Sequence, residues 1–470
     1  MGVTEFVAEY FEFERWNTDV RTEVMAGLTT FLTMSYIVVV NPAVLADNPQ
    51  SAVRDGISIA GHSTAEVRAM LAVVTILAAA TGTFVMAVHA KRPFAQAPGM
   101  GLNAFFAFTV VGSMGVPWQT ALAAVFVEGV LFAALTVVGA RTFIMRLFPE
   151  PVKFSVGTGI GLFLALIGLK EMHVVVADSA TLVTLGGVAS DPVAMVSVVG
   201  LLGTFGLYAR DVPGSVVLGI VGTTVLGWLV TAAGLVPENA GLVAGSVSPT
   251  YDISPLAGSF VGGFATVDVS AFALIVFMLF FVDFFNTAGA LTGVSQVAGF
   301  LDDDGNLPEA EKPLLADAVA TTVGGMLGTS TVTTYIESAT GIEEGGRTGL
   351  TALVVCLLFL TALAVVPLAA AVPLYASHIA VVVIGVVMLR NVVDIDWDDI
   401  THVVPAGMTI LIMPFTYSIA YGIAAGIVSY PLVKLAAGER RDVTAGQWLL
   451  GAAFVLYFLV RTGGVATSLT

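Results

Sequence analysis

An all-α polytopic membrane protein is the fold class that the sequence predicts, with about 14 transmembrane helices in a 7+7 inverted repeat. Three observations predict it. Charged residues make up only 11% of the 470 positions, against 57% hydrophobic, and the mean hydropathy is +0.94. An ordinary soluble domain carries about 25% charged residues, so this chain lacks the charge to cover its surface in water. The apolar stretches are also long and continuous, as in 22–42, 69–88 and 348–370, whereas barrel strands would be about ten residues long and would alternate. Finally, each half has one abnormally short third segment, rich in Gly, Pro, Thr or Ser.

Runs bounded by charge, Pro or Gly set the order of the crossings. The first half reads 22–42, 67–88, a short 98–112, 118–139, 152–170, 193–209 and 213–235. The second reads 268–298, 314–328, a short 331–341, 347–369, 374–391, 402–414 and 417–434. At about 20 residues each, 14 crossings take roughly 280 residues, which leaves only short loops. A further apolar stretch at 446–460 lies in the interface or crosses again.

Basic residues set the orientation through the positive-inside rule. With the N-terminus inside, the cytoplasmic loops hold Arg15, Arg21, Lys91, Arg92, Arg141, Arg146, Lys153, Arg210, Lys312, Arg347, Arg390, Lys434, Arg440 and Arg441. Outside fall only Arg54, Arg68 and Lys170, and the loop 236–267 has no Lys or Arg. The same bias requires a break at Met413-Pro414. The expected organisation is therefore a cytoplasmic N-terminus (1–21), a first seven-helix repeat (22–235), an extracytoplasmic loop (236–267), a second repeat (268–434) and a cytoplasmic C-terminal segment (435–470). An odd number of crossings per half inverts the second against the first, the plan of many secondary transporters.

Charge and cysteine narrow the class further. With 18 Lys+Arg against 34 Asp+Glu, the formal charge is −16, which excludes a basic nucleic-acid binder. Acid-rich loops such as Asp302-Asp303-Asp304 and Asp394 to Asp399 point to a halophilic source. The lone Cys356, in an apolar run, is a packing residue. The acidic start, with Glu5, Glu9, Glu12 and Glu14, is unlike a secretory signal. No Walker A loop and no His pair at metal spacing occurs. Gly157-Thr158-Gly159-Ile160-Gly161 has no strand before it and reads as helix packing. Asp302, Asp304 and Asn306 resemble a calcium loop, but Leu307 stands where Gly is needed. No cofactor or metal is expected.

The chemistry lies inside the membrane. Interrupted segments at matching positions of two halves point to a midplane binding site. Here they are Ala97-Pro98-Gly99-Met100-Gly101-Leu102-Asn103 and Gly328-Thr329-Ser330-Thr331-Val332-Thr333-Thr334-Tyr335. Two acids stand out beside them, because an ionisable group costs about 2.5–3.5 kcal/mol at a helix centre. Asp283 sits in a long apolar run, and Glu337 follows the second short segment. The pair is read as facing one cavity, one acid holding a polar ligand and one exchanging a proton. Asn286, one turn after Asp283, can face the same side. Asn103 offers a carboxamide suited to a heterocycle edge or to capping a helix start. Phe105, Phe106 and Tyr335 could stack on a flat ligand or simply pack, and Thr334 completes the candidate set.

At these residues the chain resembles the nucleobase/cation symporter-2 group, in its adenine/guanine/hypoxanthine permease branch. The likeness begins at Asn17-Thr18-Asp19-Val20-Arg21-Thr22-Glu23, with Asn41-Pro42 behind it. It continues through Ala97 to Phe106 and Phe281-Val282-Asp283-Phe284-Phe285. Its most specific stretch runs from Leu314-Leu315-Ala316-Asp317-Ala318 through Gly328–Tyr335 to Glu344-Gly345-Gly346-Arg347-Thr348-Gly349-Leu350. The resemblance implies a core domain of helices 1–4 and 8–11 and a gate domain of helices 5–7 and 12–14. A base would bind between the short segments and helix 8, with Asp283 and Glu337 holding it and coupling proton entry. The family often has a second acid one turn after the helix-8 acid, where this chain has Asn286.

These readings converge on a secondary transporter in the cell membrane that imports purine bases by proton symport and alternating access. A xanthine or uracil permease and a sodium-coupled symporter are the alternatives. An anion transporter would lack the two acids, and a membrane enzyme would need a nucleophile or metal constellation. A homodimer stays open.

Overall fold

The computed structural model describes residues 2–47, 56–139, 148–237, 239–243, 251–266, 269–302 and 307–462. Arg54, Arg141, Arg146, Asp303, Asp304 and Asn306 lie outside the described residues. Nine helices among those described are long and apolar enough to cross a membrane.

Every apolar run in the sequence is a helix or contains one. The first is α1 (Val20–Met34), followed after Ser35 and Tyr36 by α2 (Ile37–Leu45). Next come α3 (Thr64–Val85), β1 (Gln96–Pro98) and α4 (Met100–Ala104), which continues as a π-helical stretch over Phe105–Ser113. Then follow α5 (Trp118–Val137), α6 (Glu150–Glu171), α7 (Pro192–Tyr208) and α8 (Ser215–Ala232). The second half holds α9 (Val269–Ala298), α10 (Glu311–Leu327), β4 (Val332–Thr334), α11 (Ser338–Glu343) and α12 (Gly349–Ala362). It closes with α13 (Leu374–Met388), α14 (Ile400–Phe415), α15 (Ile419–Ala436) and α16 (Ala445–Thr462). The break expected at Met413-Pro414 falls just beyond, between α14 and α15, where Tyr417 takes a positive φ of 54°.

Polar residues at the ends of the runs explain where the helices start. A helix leaves its first N–H groups without partners, and a side-chain oxygen at the N-cap satisfies one of them. Asp19 accepts from Thr22 N, Asp191 from Val193 N, Thr348 from Leu350 N and Asp399 from Thr401 N. Ser63 and Glu66 form a capping box at the start of α3.

Two loops hold structure of their own. Between α6 and α7 an antiparallel hairpin, β2 (Val175–Asp178) with β3 (Leu182–Leu185), stands between two expected crossings. The expected extracytoplasmic loop 236–267 contains a short helix, Phe260–Gly263, against α5.

The chain forms two compact units, residues 1–137 with 167–383 and residues 138–166 with 384–470. In the second unit, Gly161 and Gly385 bring two helices to backbone contact, and Lys434 bridges Glu439 (2.6 Å) and Asp399 (3.9 Å). The glycine run 157–161 thus packs helices, as its composition predicts. In the first unit, Cys356 is buried in α12. There α5 and α10 pack backbone on backbone. A Cβ on Gly129 would lie 2.6 Å from Thr322 N, and one on Gly325 would lie 2.8 Å from Phe126 N. That close approach positions the site.

Candidate functional site

The two interrupted segments meet as strands. β1 pairs antiparallel with β4, with Gln96 opposite Thr334, Ala97 opposite Thr333 and Pro98 opposite Val332. Gly99 N donates to Thr331 O (3.0 Å) and Tyr335 N to Ala95 O (3.0 Å), extending the ladder at both ends. Extended backbone inside a bilayer needs partners for its N–H and C=O groups, and here each segment supplies the other's.

The hydroxyl run before and along β4 then reaches a different polar group at each position. Thr329 Oγ1 accepts from Asn41 Nδ2 (3.0 Å). Ser330 Oγ donates to Asn103 Oδ1, and Thr331 Oγ1 donates to Glu128 Oε2 (2.9 Å). Thr333 Oγ1 shares a hydrogen bond with Thr287 Oγ1 (2.7 Å), which in turn donates to Asp283 Oδ1 (3.2 Å). Thr334 Oγ1 donates to Asp317 Oδ1 (2.9 Å), an oxygen that also accepts from Gln96 Nε2.

The predicted site residues divide around this strand. Asp283, Asn103 and Thr334 are buried and engaged with it as just described. Tyr335 is buried, its hydroxyl donating to Pro98 O (2.5 Å) across the strand pair. Glu337 stands at the N-cap of α11, half-buried, and accepts from Tyr36 OH (2.6 Å). Asn286 is half-buried with its Nδ2 beside Gly99, 3.7 Å from where a Cβ would sit. So Asp283 and Asn286, one turn apart, differ: the acid is sealed behind β4 and the amide lies against the bend of the first segment. Phe105 and Phe106 are fully buried within the π-helical stretch and present no open ring face in this conformation.

Sequence reasoning singled out two acids, and the structure holds more. Glu128, Asp317 and Glu23 are also fully buried. The insertion-cost argument that found Asp283 applies equally to Glu128, the one charge in α5, and would have found it. Glu23 has a structural task. Its carboxylate accepts from Arg347 N (3.0 Å), Thr348 N (3.2 Å), Thr351 N (3.3 Å) and Thr351 Oγ1 (2.6 Å), and so caps α12 from a distant part of the chain. This explains why the motif ending at Glu23 and the one ending at Leu350 go together.

With this geometry in view, the comparisons are specific. The permease family model of xanthine/uracil type matches residues 21–425. The chain belongs to the xanthine/uracil permease family, the nucleobase/cation symporter-2 group. A putative permease, MJ0326, of Methanocaldococcus jannaschii is 42% identical over 98% of this chain and 100% of its own length. The adenine permease AdeP of Escherichia coli is 40% identical over 95% of this chain and 94% of its own. The guanine/hypoxanthine permease PbuG of Bacillus subtilis is 37% identical over 96% and 99%. Among solved structures, the transmembrane domain of the cyanobacterial bicarbonate transporter BicA shares the fold at a TM-score of 0.57 and 15% identity, over 87% of this chain and 97% of that one. The murine Solute Carrier 26 family member A9 anion transporter does so at 0.55 and 11%, over 93% and 72%. As a xanthine/uracil permease, this chain is a multi-pass membrane transporter for which those two structures speak to fold alone.

Proposed function

We propose that this permease imports purine bases, of the adenine, guanine or hypoxanthine type, by proton symport through alternating access. The observation that carries the reading is the β1–β4 pair, which gathers Gly99, Asn286, Tyr335 and the Glu337 helix start around one interrupted stretch of backbone. Near-full-length likeness to adenine and guanine/hypoxanthine permeases supports the choice of substrate. A purine is flat, with ring nitrogens and an exocyclic amine or oxygen on its edges. Glu337 can accept from ring N–H groups, Asn286 can donate and accept, and Asn103 and Thr334 hold the strand that carries the site. Asp283 is reached through the Thr287–Thr333 pair, which links it to the same strand. Glu337 and Asp283 are the proton-coupling acids in this reading. Proton and base binding must favour each other for a gradient to be coupled.

The architecture that serves this function is a 14-helix, seven-plus-seven inverted repeat. Its core comprises crossings 1–4 and 8–11, its gate crossings 5–7 and 12–14, and its N-terminus is cytoplasmic. Cysteines placed singly in the loops at 91 and 235 of a Cys356→Ala chain should label from opposite sides of the membrane.

Substrate and coupling are tested together in proteoliposomes and transporter-deficient cells. Labelled adenine, guanine and hypoxanthine should accumulate in competition with one another, and xanthine and uracil should not. An inward proton gradient without sodium should drive accumulation, and a protonophore should collapse it. Uptake that follows a sodium gradient and ignores the protonophore would overturn the proton reading and recast Asp283 or Glu337 as a sodium ligand.

A further inference from the structure

Behind β4, the carboxyls of Glu128 and Asp283 lie side by side on the packed helices α5 and α9. Both side chains are fully buried. Each has one oxygen occupied, Glu128 Oε2 by the Thr331 hydroxyl at 2.9 Å and Asp283 Oδ1 by that of Thr287 at 3.2 Å. Each has one oxygen left over: Glu128 Oε1 and Asp283 Oδ2 receive no donor from any described residue. A buried acceptor without a donor is costly, and two touching carboxylates away from water repel strongly. One ligand relieves both faults, and it is a proton on the carboxyl pair itself.

The surroundings point the same way. The elements packed on α5 are α9, α10, the 105–113 stretch and the turns at 260–266. α9 contributes Asp283 itself, Asp317 faces it from α10, and 105–113 and 260–266 carry no titratable side chain. Asp317 adds a further unpartnered oxygen, Oδ2. No Lys, Arg or His of these elements stands close to the pair.

We propose that Glu128 and Asp283 act as one proton-sharing pair that carries the coupled proton, with Glu128 as a coupling residue in its own right. This rests on the proton-symport reading above. The pair keeps one shared proton at all times. The transported proton is the second: it enters from the side of higher proton concentration, neutralises the pair, and leaves on the opposite side, restoring one shared proton and one negative charge. Gain of the second proton changes what Thr331 and Thr287 can donate to, so the strand that bears Tyr335 and leads to Glu337 senses the state of the pair.

The test is the pH profile of hypoxanthine uptake by the full chain in proteoliposomes at a fixed proton gradient. In wild type, uptake falls as pH rises and the second proton is lost. In Glu128→Gln the shared proton is gone, and the charged Asp283 accepts from an amide N–H, a weaker donor than a carboxyl O–H. The fall should therefore move up by about one pH unit, because the charged form loses hydrogen-bond stabilisation. Glu128→Asp keeps a carboxyl, so its profile should lie nearer wild type than that of Glu128→Gln. Thr331→Val removes the donor to Glu128 Oε2, so the proton is held more tightly and the fall should move up. A merely structural role would lower the amplitude of either variant without moving its profile. Thr331→Val decides the matter if Glu128→Gln does not insert. Accumulation by wild type with both variant profiles superimposed on it overturns the pair alone. No accumulation by wild type under a proton gradient overturns the symport reading and this proposal with it.

Discussion

The two paired strands look alike in backbone and carry opposite chemistry. β1 and its bend are small and apolar over Ala97-Pro98-Gly99, and the polar side chains of Gln96, which opens β1, and Asn103, beyond the bend, are both held by other residues. The run into and along β4 presents hydroxyls at 329, 330, 331, 333 and 334, each linked to a different helix or segment. The first segment supplies shape and the second supplies hydrogen bonds. A repeat architecture thus need not divide function equally: the first segment should be sensitive to bulk and the second to polarity.

Four experiments can break or sharpen that contrast. The largest effect is expected at the end of the second segment. Glu337→Gln keeps the shape but cannot carry charge, so accumulation should fall to the equilibrium level while expression and insertion persist; labelled-base uptake beside a membrane-fraction blot reads both. Next, Asp283→Ala should weaken hypoxanthine binding by more than tenfold and Asp283→Asn by less, because Asn retains an acceptor for Thr287. Isothermal titration of the purified variants decides it, and equal wild-type affinities would remove Asp283 from the site.

The first segment should respond to bulk. A Cβ on Gly99 would lie 2.9 Å from Thr333 Cγ2 and 3.0 Å from Leu102 Cδ1. Overpacking of this kind costs about 1–3 kcal/mol, so Gly99→Ala should lower the melting temperature and weaken uptake. Adding Thr333→Ser removes the obstructing methyl and keeps the hydroxyl, and should restore part of the loss. No rescue would mean that the contact with Leu102 Cδ1, not the Thr333 methyl, sets the cost. The smallest effect belongs to Tyr335→Phe, which loses the 2.5 Å bond to Pro98 O. A single hydrogen bond is worth about 1 kcal/mol net, so base affinity should change by only a few-fold in a titration.

The order of the crossings was legible because each run is apolar throughout and ends at a charge, a proline or a cap such as Asp19, Asp191 or Asp399. The two interruptions were legible for the same reason in reverse, since Gly, Pro and hydroxyl residues stand where a crossing should continue. Their pairing was not legible. Three residues of strand have no periodicity, and Gln96 and Thr334 are far apart in the chain. The hydroxyl partners were hidden likewise, because nothing local links Thr331 to Glu128 or Thr334 to Asp317. Glu128 itself is visible as a lone acid in an apolar helix, but it lies outside both interrupted segments and meets them only through Thr331. The i, i+3 spacing of Asp283 and Asn286 correctly put them on neighbouring positions of one helix, yet it could not tell that one is sealed and the other half-buried.

The Glu23 cap has a consequence for how the protein is made. Its donors at Arg347, Thr348 and Thr351 are synthesised more than 300 residues later. At about 5–20 residues per second, the first span waits on the order of half a minute with an acid that lacks its final partners. During that interval Glu23 must remain near the water interface. Asn41 waits almost as long for Thr329. The first crossing therefore reaches its final state only after the second half has been translated, so a chain truncated before residue 347 should leave it accessible to insertion errors and to membrane quality-control proteases.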